Sequence, residues 1–383
     1  MQMKPKNILW VTNNWLFDYG GRKIASKKIL NFLAEKGFKI TVLDFEVREK
    51  QINAVKENTG LINKITFHFI SLPDNKKIIL EIIKFAKSRD FNLIIVSGSA
   101  AVDLLTIASI RLFHLFRNSK LILFEHTNPL QGIRLSNFWF MHIFLAKIFY
   151  KTLNFIIAPS EHLKKMFINE FKVTPKKVKV LYYPVINNHF PSLIKEKVNE
   201  KVFWQKKSKI IITSARLDQR QKDFLTLLKS LEIVNIRVDA ILAILGIGPD
   251  QKKIEVLANE LKIKNKVMFL GFQKNPFKYI AKSDVFVLSS KFEGAPLVLV
   301  ETMACGTPIV SSDCDFGPRE ILENGKNGIL VPVGDEQKMA DSVIKLLKDQ
   351  NLKKRYIMNG FLIFNKYRVK TSLTKWYNFL LHV

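Results

Sequence analysis

The sequence predicts an α/β protein with two doubly wound parallel-sheet domains, and three observations carry this prediction. Short, continuous apolar runs alternate with helix-like segments from Asn7 onward, the alternation lapses in the proline-bearing stretch from Tyr183 to Trp204, and it restarts at "KIIITSA". Continuous apolar strands that alternate with helices are typical of a parallel sheet covered on both faces. A chain of 383 residues is also too long for a single hydrophobic core.

The strands predicted for the first domain begin with "NILWVTN" and "FKITVLDF" and continue in the apolar runs at residues 65–70, 93–96, 121–124 and 155–158. Between the first two strands, "RKIASKKILNFLAEKG" repeats apolar residues near the helical period, and Gly37 supplies a helix stop. We assign residues 1–190 to this N-terminal domain.

The second domain repeats the pattern, with predicted strands in "KIIITSA", "VDAILAILGIG", "VMFLGF", "VFVLSS" and "PIVSS" and helix-like sequence after Glu336. We assign residues 191–205 to a linker, 206–365 to this domain and 366–383 to a final helix that crosses back to the first domain. Ligands of open parallel sheets lie beyond the carboxyl ends of the strands. Two such domains facing each other are therefore expected to enclose a cleft.

The composition is that of a folded globular protein, with 48% hydrophobic and 25% charged residues. Its net charge of +28 is spread over both halves and favours anionic partners, which include nucleic acid, acidic lipid headgroups and phosphorylated small molecules. The two cysteines, Cys305 and Cys314, fit neither a metal-type spacing nor a disulfide framework. The apolar run near the start is too short for a signal peptide, so we expect a cytoplasmic protein.

Two carboxylates, Glu293 and Glu301, stand in the otherwise apolar stretch "KFEGAPLVLVETMACGTPIVSS". A helix is expected from about Pro296 to Gly306, with Glu293 on the loop before it and Glu301 within it. A buried carboxylate needs hydrogen-bond donors, which a ligand's hydroxyl groups or a backbone amide could supply, and the helix N-terminus would meet a phosphate. A nucleotide diphosphate sugar would meet all these demands, with its sugar at Glu293 and its ribose at Glu301.

Glycines follow two of the predicted strands. Gly20 and Gly21 precede the first helix, where backbone amides could approach a phosphate, but a plain tight turn would also explain them, and they do not form a dinucleotide fingerprint. Gly246 and Gly248 in "LGIGPD" are assigned to a turn.

Two cations follow the first strand of the second domain, in "SARLDQRQKDFLTLL". Arg216 comes directly after the strand and Lys222 lies at the start of the next helix, where a guanidinium fork and a movable ammonium would suit a diphosphate. Chance surface charge in so basic a chain would explain the pair equally well.

These motifs together resemble the retaining family 4 glycosyltransferases. "FEGAPLVLVETMACGTPIVSSD" is similar to the E-x7-E region of that family, and "SARLDQRQKDFLTLL" to its donor-phosphate Arg and Lys motif. "GFQKNPFKYIAKSDVFVLSS", "GPREILENGKNGILVPVGD" and the Gly-Gly loop fit in the same order. The resemblance covers most of the second domain and patches of the first, and it implies the GT-B fold, two Rossmann-like domains around a cleft.

The resemblance also implies roles for the candidate residues. Arg216 and Lys222 would neutralise the donor diphosphate, Glu301 would hold the ribose, and Glu293 would hold hydroxyls of the transferred sugar. His126 in "FEHTNP" matches a histidine near that sugar, although a structural histidine is the commoner interpretation of such a residue on its own. The further donor-side residues are Gly20, Gly21, Gly271, Phe272, Gly294, Ala295, Pro296 and Leu297.

The activity implied is metal-independent transfer of a hexose or N-acetylhexosamine, with retention, from a UDP-sugar to a lipid-linked or saccharide acceptor in bacterial surface glycan synthesis. No other cofactor is expected. UDP is inferred because "GPREIL" resembles transferases that use UDP-linked sugars. Two departures from the family pattern are the longer spacing from Arg216 to Lys222, which would let Arg220 share the lysine's role, and Ile247 where an acidic residue is frequent.

Three competing interpretations remain open from the sequence. "DCD" at Asp313 to Asp315 formally fits a DxD metal motif, although a loop that merely contains acids is expected after the E-x7-E helix. A sugar-nucleotide epimerase or hydrolase on the same fold would turn over donor without acceptor. A nucleic-acid-binding protein is suggested by charge alone, without the motifs or the aromatic and basic pattern of such modules.

The most apolar segment, Phe138 to Pro159, approaches the length of a membrane span but carries Lys147 and Lys151 and ends in proline. We expect a helix followed by a buried strand. Its aromatic-rich part, Phe138 to Tyr150, either faces the core or rests with the basic residues of the first domain on an anionic cytoplasmic leaflet.

Overall fold

The computed structural model describes residues 6–13, 21–45, 65–70, 78–86, 90–126, 128–130, 139–200, 203 and 207–383. The chain divides into two compact units, the first formed by residues 1–184 and 370–383 and the second by residues 185–369. Each unit contains one parallel β-sheet, which confirms the predicted fold class.

Within the described residues, the sheet of the first unit has 7 strands in the order β3-β2-β1-β4-β5-β6-β7, and all neighbouring pairs are parallel. The strands are β1 (Asn7–Asn13), β2 (Lys39–Phe45), β3 (Ile65–Ile70), β4 (Leu93–Val96), β5 (Lys120–Phe124), β6 (Phe155–Ala158) and β7 (Val178–Val180). The order reverses between β1 and β4, and the carboxyl ends of strands at such a switch point are where open α/β sheets bind ligands.

The helices of the first unit connect these strands and include Gly21–Glu35, Ile78–Ala86, Ala100–Leu112, Trp139–Thr152 and Glu161–Asn169, with a 3-10 turn at Pro175–Lys177. Local sequence explains several of their ends. The first helix stops before Gly37, whose φ of 90° suits the left-handed conformation that glycine adopts without strain. Ser160 caps the helix that follows it, because its hydroxyl oxygen accepts from the backbone N–H of Leu163 at 3.1 Å.

A cluster of large aromatic side chains lies at the centre of the first unit. Trp376 is fully buried, and the centroid of its indole lies 4.7 Å from the ring centroid of Phe124 and 6.4 Å from that of Trp10. Trp376 belongs to the last helix, Val369–His382, most of which is part of this unit. The sequence predicted such a returning helix over residues 366–383.

In the part of the second unit that the structure describes, the sheet has 6 strands in the order β10-β9-β8-β11-β12-β13, again all parallel. These are β8 (Lys209–Ser214), β9 (Ala240–Leu245), β10 (Val267–Gly271), β11 (Val285–Leu288), β12 (Ile309–Ser312) and β13 (Ile329–Val331). The switch point lies between β8 and β11. The two strands that directly precede the Arg216 loop and the Glu293 loop are therefore neighbours.

The helices of the second unit cover both faces of this sheet, and a core of apolar side chains from strands and helices fills the space between them. Their bounds are Phe190–Lys195, Gln219–Lys222, Phe224–Arg237, Gln251–Glu260, Phe277–Ile280, Leu297–Cys305, Pro318–Ile321, Glu336–Lys348 and Gln350–Ile363, with 3-10 turns at Lys264–Lys266 and Phe364–Tyr367.

The stretch assigned to a linker, residues 191–205, is largely packed on the second unit where the structure describes it. The ring centroid of Phe190, which directly precedes the stretch, lies 4.8 Å from that of Phe277. The backbone carbonyl of Leu193 accepts a hydrogen bond from the side-chain amide of Asn275 at 2.8 Å. The phenol of Tyr279 donates to Glu200 at 3.0 Å. Glu200 thus supplies a polar partner for the helix Phe277–Ile280, and the first crossing between the units lies earlier, after residue 184.

The most apolar segment forms the helix Trp139–Thr152 and the buried strand β6, as expected, while Phe138 lies outside the described residues. Among the residues that the structure describes, no helix combines the length and the apolar character needed to cross a membrane.

Candidate active site

The loop between β11 and the helix Leu297–Cys305 carries the first of the two carboxylates. Pro296 stands at the N-cap of this helix, and Gly306 ends it with a φ of 72°. The observed bounds match the expected helix, which puts Glu293 on the loop and Glu301 within the helix.

Glu293 is buried, with 7% of its surface exposed, and one of its oxygens is bound by two side chains. The hydroxyl of Ser290 donates to Glu293 Oε1 at 2.6 Å, and the ammonium of Lys222 donates to the same oxygen at 2.5 Å. A buried carboxylate is stable only with such donors. The structure therefore brings together two of the predicted site residues, Glu293 and Lys222.

The segment that carries Lys222 is tied to the Glu293 loop through its backbone. The hydroxyl of Ser289 donates to the carbonyl of Lys222 at 2.7 Å, and the N–H of Lys291 donates to the carbonyl of Gln221 at 2.8 Å. Asp223 then turns the chain with a φ of 45° into the long helix Phe224–Arg237. Because of these bonds the ammonium of Lys222, whose side chain is only 15% exposed, is held beside Glu293.

Arg220, which the sequence left as a candidate to share the lysine's role, is directed elsewhere. Its guanidinium forms a fork on the carboxylate of Asp218, with distances of 3.1 and 3.0 Å, and its side chain is 84% exposed. The side-chain hydrogen bond from Arg220 is the main cause that lowers the pKa of Asp218 from its ordinary value. Lys222 is thus the cation on Glu293, and Arg216, exposed at the end of β8, is a separate positive charge.

The two glycines of "LGIGPD" allow the loop after β9 to pack against the Arg216 loop. A Cβ on Gly246 would lie 1.9 Å from the carbonyl oxygen of Ala215, and one on Gly248 would lie 2.3 Å from that of Leu217. The tight-turn interpretation of these glycines agrees with the φ of 130° at Gly246. These glycines allow the backbone of the loop after β9 to pack directly against the backbone of the segment that carries Arg216.

Two further donor-side candidates follow β10. Gly271 has a φ of 64°, and its carbonyl accepts from the N–H of Gly246 at 2.8 Å, which links the ends of β9 and β10. Phe272, the next residue, is about half exposed. Both residues lie at the same carboxyl edge of the second-unit sheet as Arg216 and Glu293.

The predicted first-unit residues lie at the carboxyl edge of the other sheet. His126 follows β5 and is buried, and both of its ring nitrogens have side-chain partners, because Nε2 lies 2.6 Å from Ser97 Oγ and Nδ1 lies 2.6 Å from Tyr183 Oη. This is the arrangement expected of a structural histidine. Gly21 begins the first helix, whereas Gly20 lies outside the described residues.

Two family models match the chain in succession. Glycosyltransferase Family 4 matches residues 20–186, and Glycosyl transferases group 1 matches residues 194–362. An uncharacterised glycosyltransferase of Methanocaldococcus jannaschii is 30% identical over 300 residues, which cover 70% of this chain and 73% of that protein. The chain belongs to glycosyltransferase family 4.

This glycosyltransferase is also similar to the N-acetylgalactosamine-N,N'-diacetylbacillosaminyl-diphospho-undecaprenol 4-alpha-N-acetylgalactosaminyltransferase of Campylobacter jejuni. The two are 31% identical over 239 residues, which is 62% of this chain and 63%, or just under two thirds, of that protein. The solved structure of Anabaena HepE in complex with UDP covers 98% of this chain and 100% of its own with a TM-score of 0.76 at 19% identity. That likeness supports the fold, and the predicted GT-B fold is confirmed.

The "DCD" loop of this glycosyltransferase engages its first acid in an ion pair. The guanidinium Nε of Arg319 donates to Asp313 Oδ1 at 3.1 Å, and a second guanidinium nitrogen contacts Asp313 Oδ2. Asp315 is exposed. In the part of the chain that the structure describes, no group of three or more metal-binding side chains is found.

The two cysteines are buried thiols beside the two glutamates. Burial, and secondarily the negative charge of Glu293, raises the pKa of Cys314 to about 12. Burial and the charge of Glu301 raise the pKa of Cys305 well above its ordinary value. Neither thiol is a nucleophile at neutral pH, because the thiolate is the reactive form.

Two residues of the site were not identified from the sequence. Ser290 binds Glu293, yet a serine at the end of a buried strand carries no distinctive signal, and only its position three residues before the carboxylate marks it. Gly317 packs on the loop before the helix, since a Cβ there would lie 2.2 Å from Cδ of Pro296. The contact joins two different loops, so no local pattern in the sequence identifies it.

Proposed function

We propose that this enzyme transfers a hexose or N-acetylhexosamine, with retention, from a UDP-sugar to a lipid-linked or saccharide acceptor in the synthesis of a bacterial surface glycan. The observation that carries the proposal is the buried contact of Glu293 with Lys222 at the carboxyl edge of the second-unit sheet. A carboxylate and a cation held side by side suit a ligand that presents sugar hydroxyls next to a phosphate.

The second-unit residues divide the donor among them. Lys222 and Arg216 would neutralise the diphosphate as it leaves, Glu293 would accept hydrogen bonds from hydroxyls of the transferred sugar, and Glu301 would hold the ribose. Backbone amides from Gly294 to Leu297 would orient the sugar and its phosphate at the helix start, and Gly271 with Phe272 would lie on the nucleotide side.

Transfer with retention would proceed by attack on the same face from which UDP leaves. The acceptor oxygen forms a bond to the anomeric carbon, the bond from that carbon to the phosphate oxygen breaks, and the departing phosphate oxygen takes the acceptor's proton. The fixed cations would supply the charge compensation that other glycosyltransferases draw from a divalent metal, so we propose that no metal is required.

First-unit residues would complete the reaction. Gly20 and Gly21 would close over the phosphates and the acceptor side, and His126 would lie near the transferred sugar. Because both ring nitrogens of His126 contact hydroxyl groups at 2.6 Å, we assign it a positioning role. UDP as the nucleotide draws support from the ligand named for Anabaena HepE, and a lipid-linked acceptor from the diphospho-undecaprenol named for the Campylobacter relative.

The donor is best identified by calorimetric titration with a panel of nucleotide sugars, followed by product analysis with and without acceptor. We expect UDP-sugars to bind and turnover to require acceptor. Steady release of free sugar or of an epimerised donor without acceptor would instead assign the enzyme to the hydrolase or epimerase alternative. Activity abolished by EDTA and restored by Mn²⁺ would contradict the metal-free proposal.

Substitutions of the donor-side residues test the assigned roles. We expect Glu293→Gln, Arg216→Ala and Lys222→Ala to lower transfer by at least about a hundredfold while the protein remains folded, because each removes a group that binds developing charge or the sugar. Arg220→Ala is the matched control, since it removes a neighbouring exposed cation that pairs with Asp218. Near-normal transfer in the first three variants would refute the site.

A further inference from the structure

The helix Trp139–Thr152 of the first unit turns one face to the core and an unusually apolar face outward. Ala146, Phe149 and Tyr150 are buried. The side chains of Phe140 and Phe144 are each 62% exposed, although phenylalanine is among the residues most often buried in soluble domains. The core-facing interpretation of the segment therefore holds for one side of this helix, and the other side is exposed.

The exposed residues from Phe140 onward recur at helical spacing and so form a continuous stripe, and Trp139 is exposed at the start of the helix. We define this stripe as the aromatic-lysine face. It consists of Trp139, Phe140, Met141, Phe144, Lys147, Ile148 and Lys151. Its aromatic residues lie in the first half of the helix and its two lysines in the second half. Contiguous exposed apolar surface of this kind marks an interaction site in a folded protein.

The segment that contains the aromatic-lysine face carries basic residues and no acidic ones. No aspartate or glutamate occurs between Glu125 and Glu161. At the end of the helix, the ammonium of Lys177 donates to the carbonyl of Lys151 at 2.8 Å, and the guanidinium of Arg111 donates to the carbonyl of Thr152 at 2.6 Å. Cations thus gather at the helix C-terminus, where the helix dipole also favours them.

The neighbouring helix adds exposed apolar side chains. Ala100–Leu112 packs against Trp139–Thr152, and its end exposes Leu112 and the following Phe113. Arg111, next to Leu112, makes the contact with Thr152 described above. The ends of two packed helices therefore combine exposed apolar side chains with positive charge.

We propose that the aromatic-lysine face docks on an anionic lipid bilayer. Tryptophan and phenylalanine enter the boundary between headgroups and acyl chains, and lysines flanking them bind acidic headgroups. The inference goes beyond glycosyl transfer and does not depend on it. A nucleic acid would match the lysines and could stack on the rings, but it would leave the exposed aliphatic side chains of Met141 and Ile148 unmatched.

Vesicle flotation tests the proposal, with phosphatidylcholine vesicles compared with vesicles of equal parts phosphatidylcholine and phosphatidylglycerol. We expect the whole protein to float with the anionic vesicles, less at high salt, and to stay behind with the neutral ones. The double substitution Lys147→Gln and Lys151→Gln should weaken vesicle binding about thirtyfold, because each lost contact between a lysine and an acidic headgroup lowers the affinity about fivefold. Phe140→Ser with Phe144→Ser should weaken it by more than about tenfold.

The matched control is Ile236→Ser with Val256→Ser, which removes comparably exposed apolar side chains from the second unit and should leave flotation unchanged. Thermal unfolding checks that each variant is folded, and UDP titration reports on the donor site separately. Failure of the wild-type protein to float at low salt, or flotation of the phenylalanine variant like the wild type, would overturn the proposal. A dimer that the phenylalanine substitutions dissociate, without lipid binding, would assign the face to self-association instead.

Discussion

At the scale of single residues, one carboxylate oxygen of the candidate site accepts two side-chain hydrogen bonds. Glu293 Oε1 accepts from a charged donor, Lys222, and from a neutral one, Ser290, whose own carbonyl accepts from the hydroxyl of Ser312 at 2.6 Å. A ligand phosphate that draws Lys222 away would leave Ser290 as the donor that still fixes the carboxylate. The neutral contact is therefore the one that keeps Glu293 oriented.

We expect Ser290→Ala to lower kcat by about ten- to a hundredfold with a smaller change in KM, because a hydrogen bond to a charged group contributes about 1.5–3 kcal/mol. Initial rates with the best donor measure this. Ser311→Ala is the control, since Ser311 is buried on the adjacent strand and its hydroxyl donates to the carbonyl of Ser312. Equal kinetics for the two variants would contradict the positioning role, and Ser290→Thr should recover part of the rate.

At the scale of elements, the close approach of two loops sets the position of the Arg216 segment. The N–H of Ala215 donates to the carbonyl of Leu245 at 3.0 Å, and that of Leu217 donates to the carbonyl of Ile247 at 3.1 Å. A side chain at Gly246 would have to displace backbone in this arrangement. The loop after β9 is thus part of the support of the donor site, although none of its side chains was assigned a role.

Gly246→Ala should lower the free energy of unfolding by about 3 kcal/mol or more, because the new Cβ would meet a backbone carbonyl in addition to the strained φ. Gly334→Ala is a control at a φ of 78° where a Cβ meets nothing, and about 1 kcal/mol is expected there. Urea unfolding of both variants gives the comparison. A loss at Gly246 no larger than that at Gly334 would show that the loop can relax.

Several elements could be predicted from the sequence because their signals are local. Continuous apolar runs revealed the longer strands, and Pro296 with Gly306 bounded the helix that follows Glu293. The strands β7 and β13 were missed because three residues are too few to establish a pattern. Which cation meets Glu293 was also beyond the sequence, since the contact between Lys222 and Glu293 spans 71 positions and depends on β8 lying beside β11.

At the scale of the whole molecule, the chain crosses between the units twice, after residues 184 and 369, so each chain end belongs to the first unit. The last helix fills the first unit's core through Trp376, which contacts Trp10 from the first strand. Residues separated by nearly the whole chain therefore share one core. The donor-side residues of the second unit all lie between these crossings.

Trp376→Ala should destabilise the first unit by about 4 kcal/mol, the cost of removing a large buried aromatic side chain. Below the unfolding transition, UDP affinity should be largely retained, because the charged side chains assigned to the donor, Arg216, Lys222, Glu293 and Glu301, belong to the second unit. Urea unfolding and calorimetry measure the two quantities. Met358→Ala, at an exposed position, serves as the control, and a Trp376 variant as stable as that control would contradict the role of the indole.

The double crossing also has a consequence for biosynthesis. Domains generally fold as units in the order in which they leave the ribosome. Here every strand of both sheets has been synthesised before residue 370, yet the first unit still lacks the indole that fills its centre. The unit that begins first is completed last, so a chain truncated before Trp376 would retain every described strand of both sheets but leave an open apolar core in the first unit that chaperones and proteases can recognise.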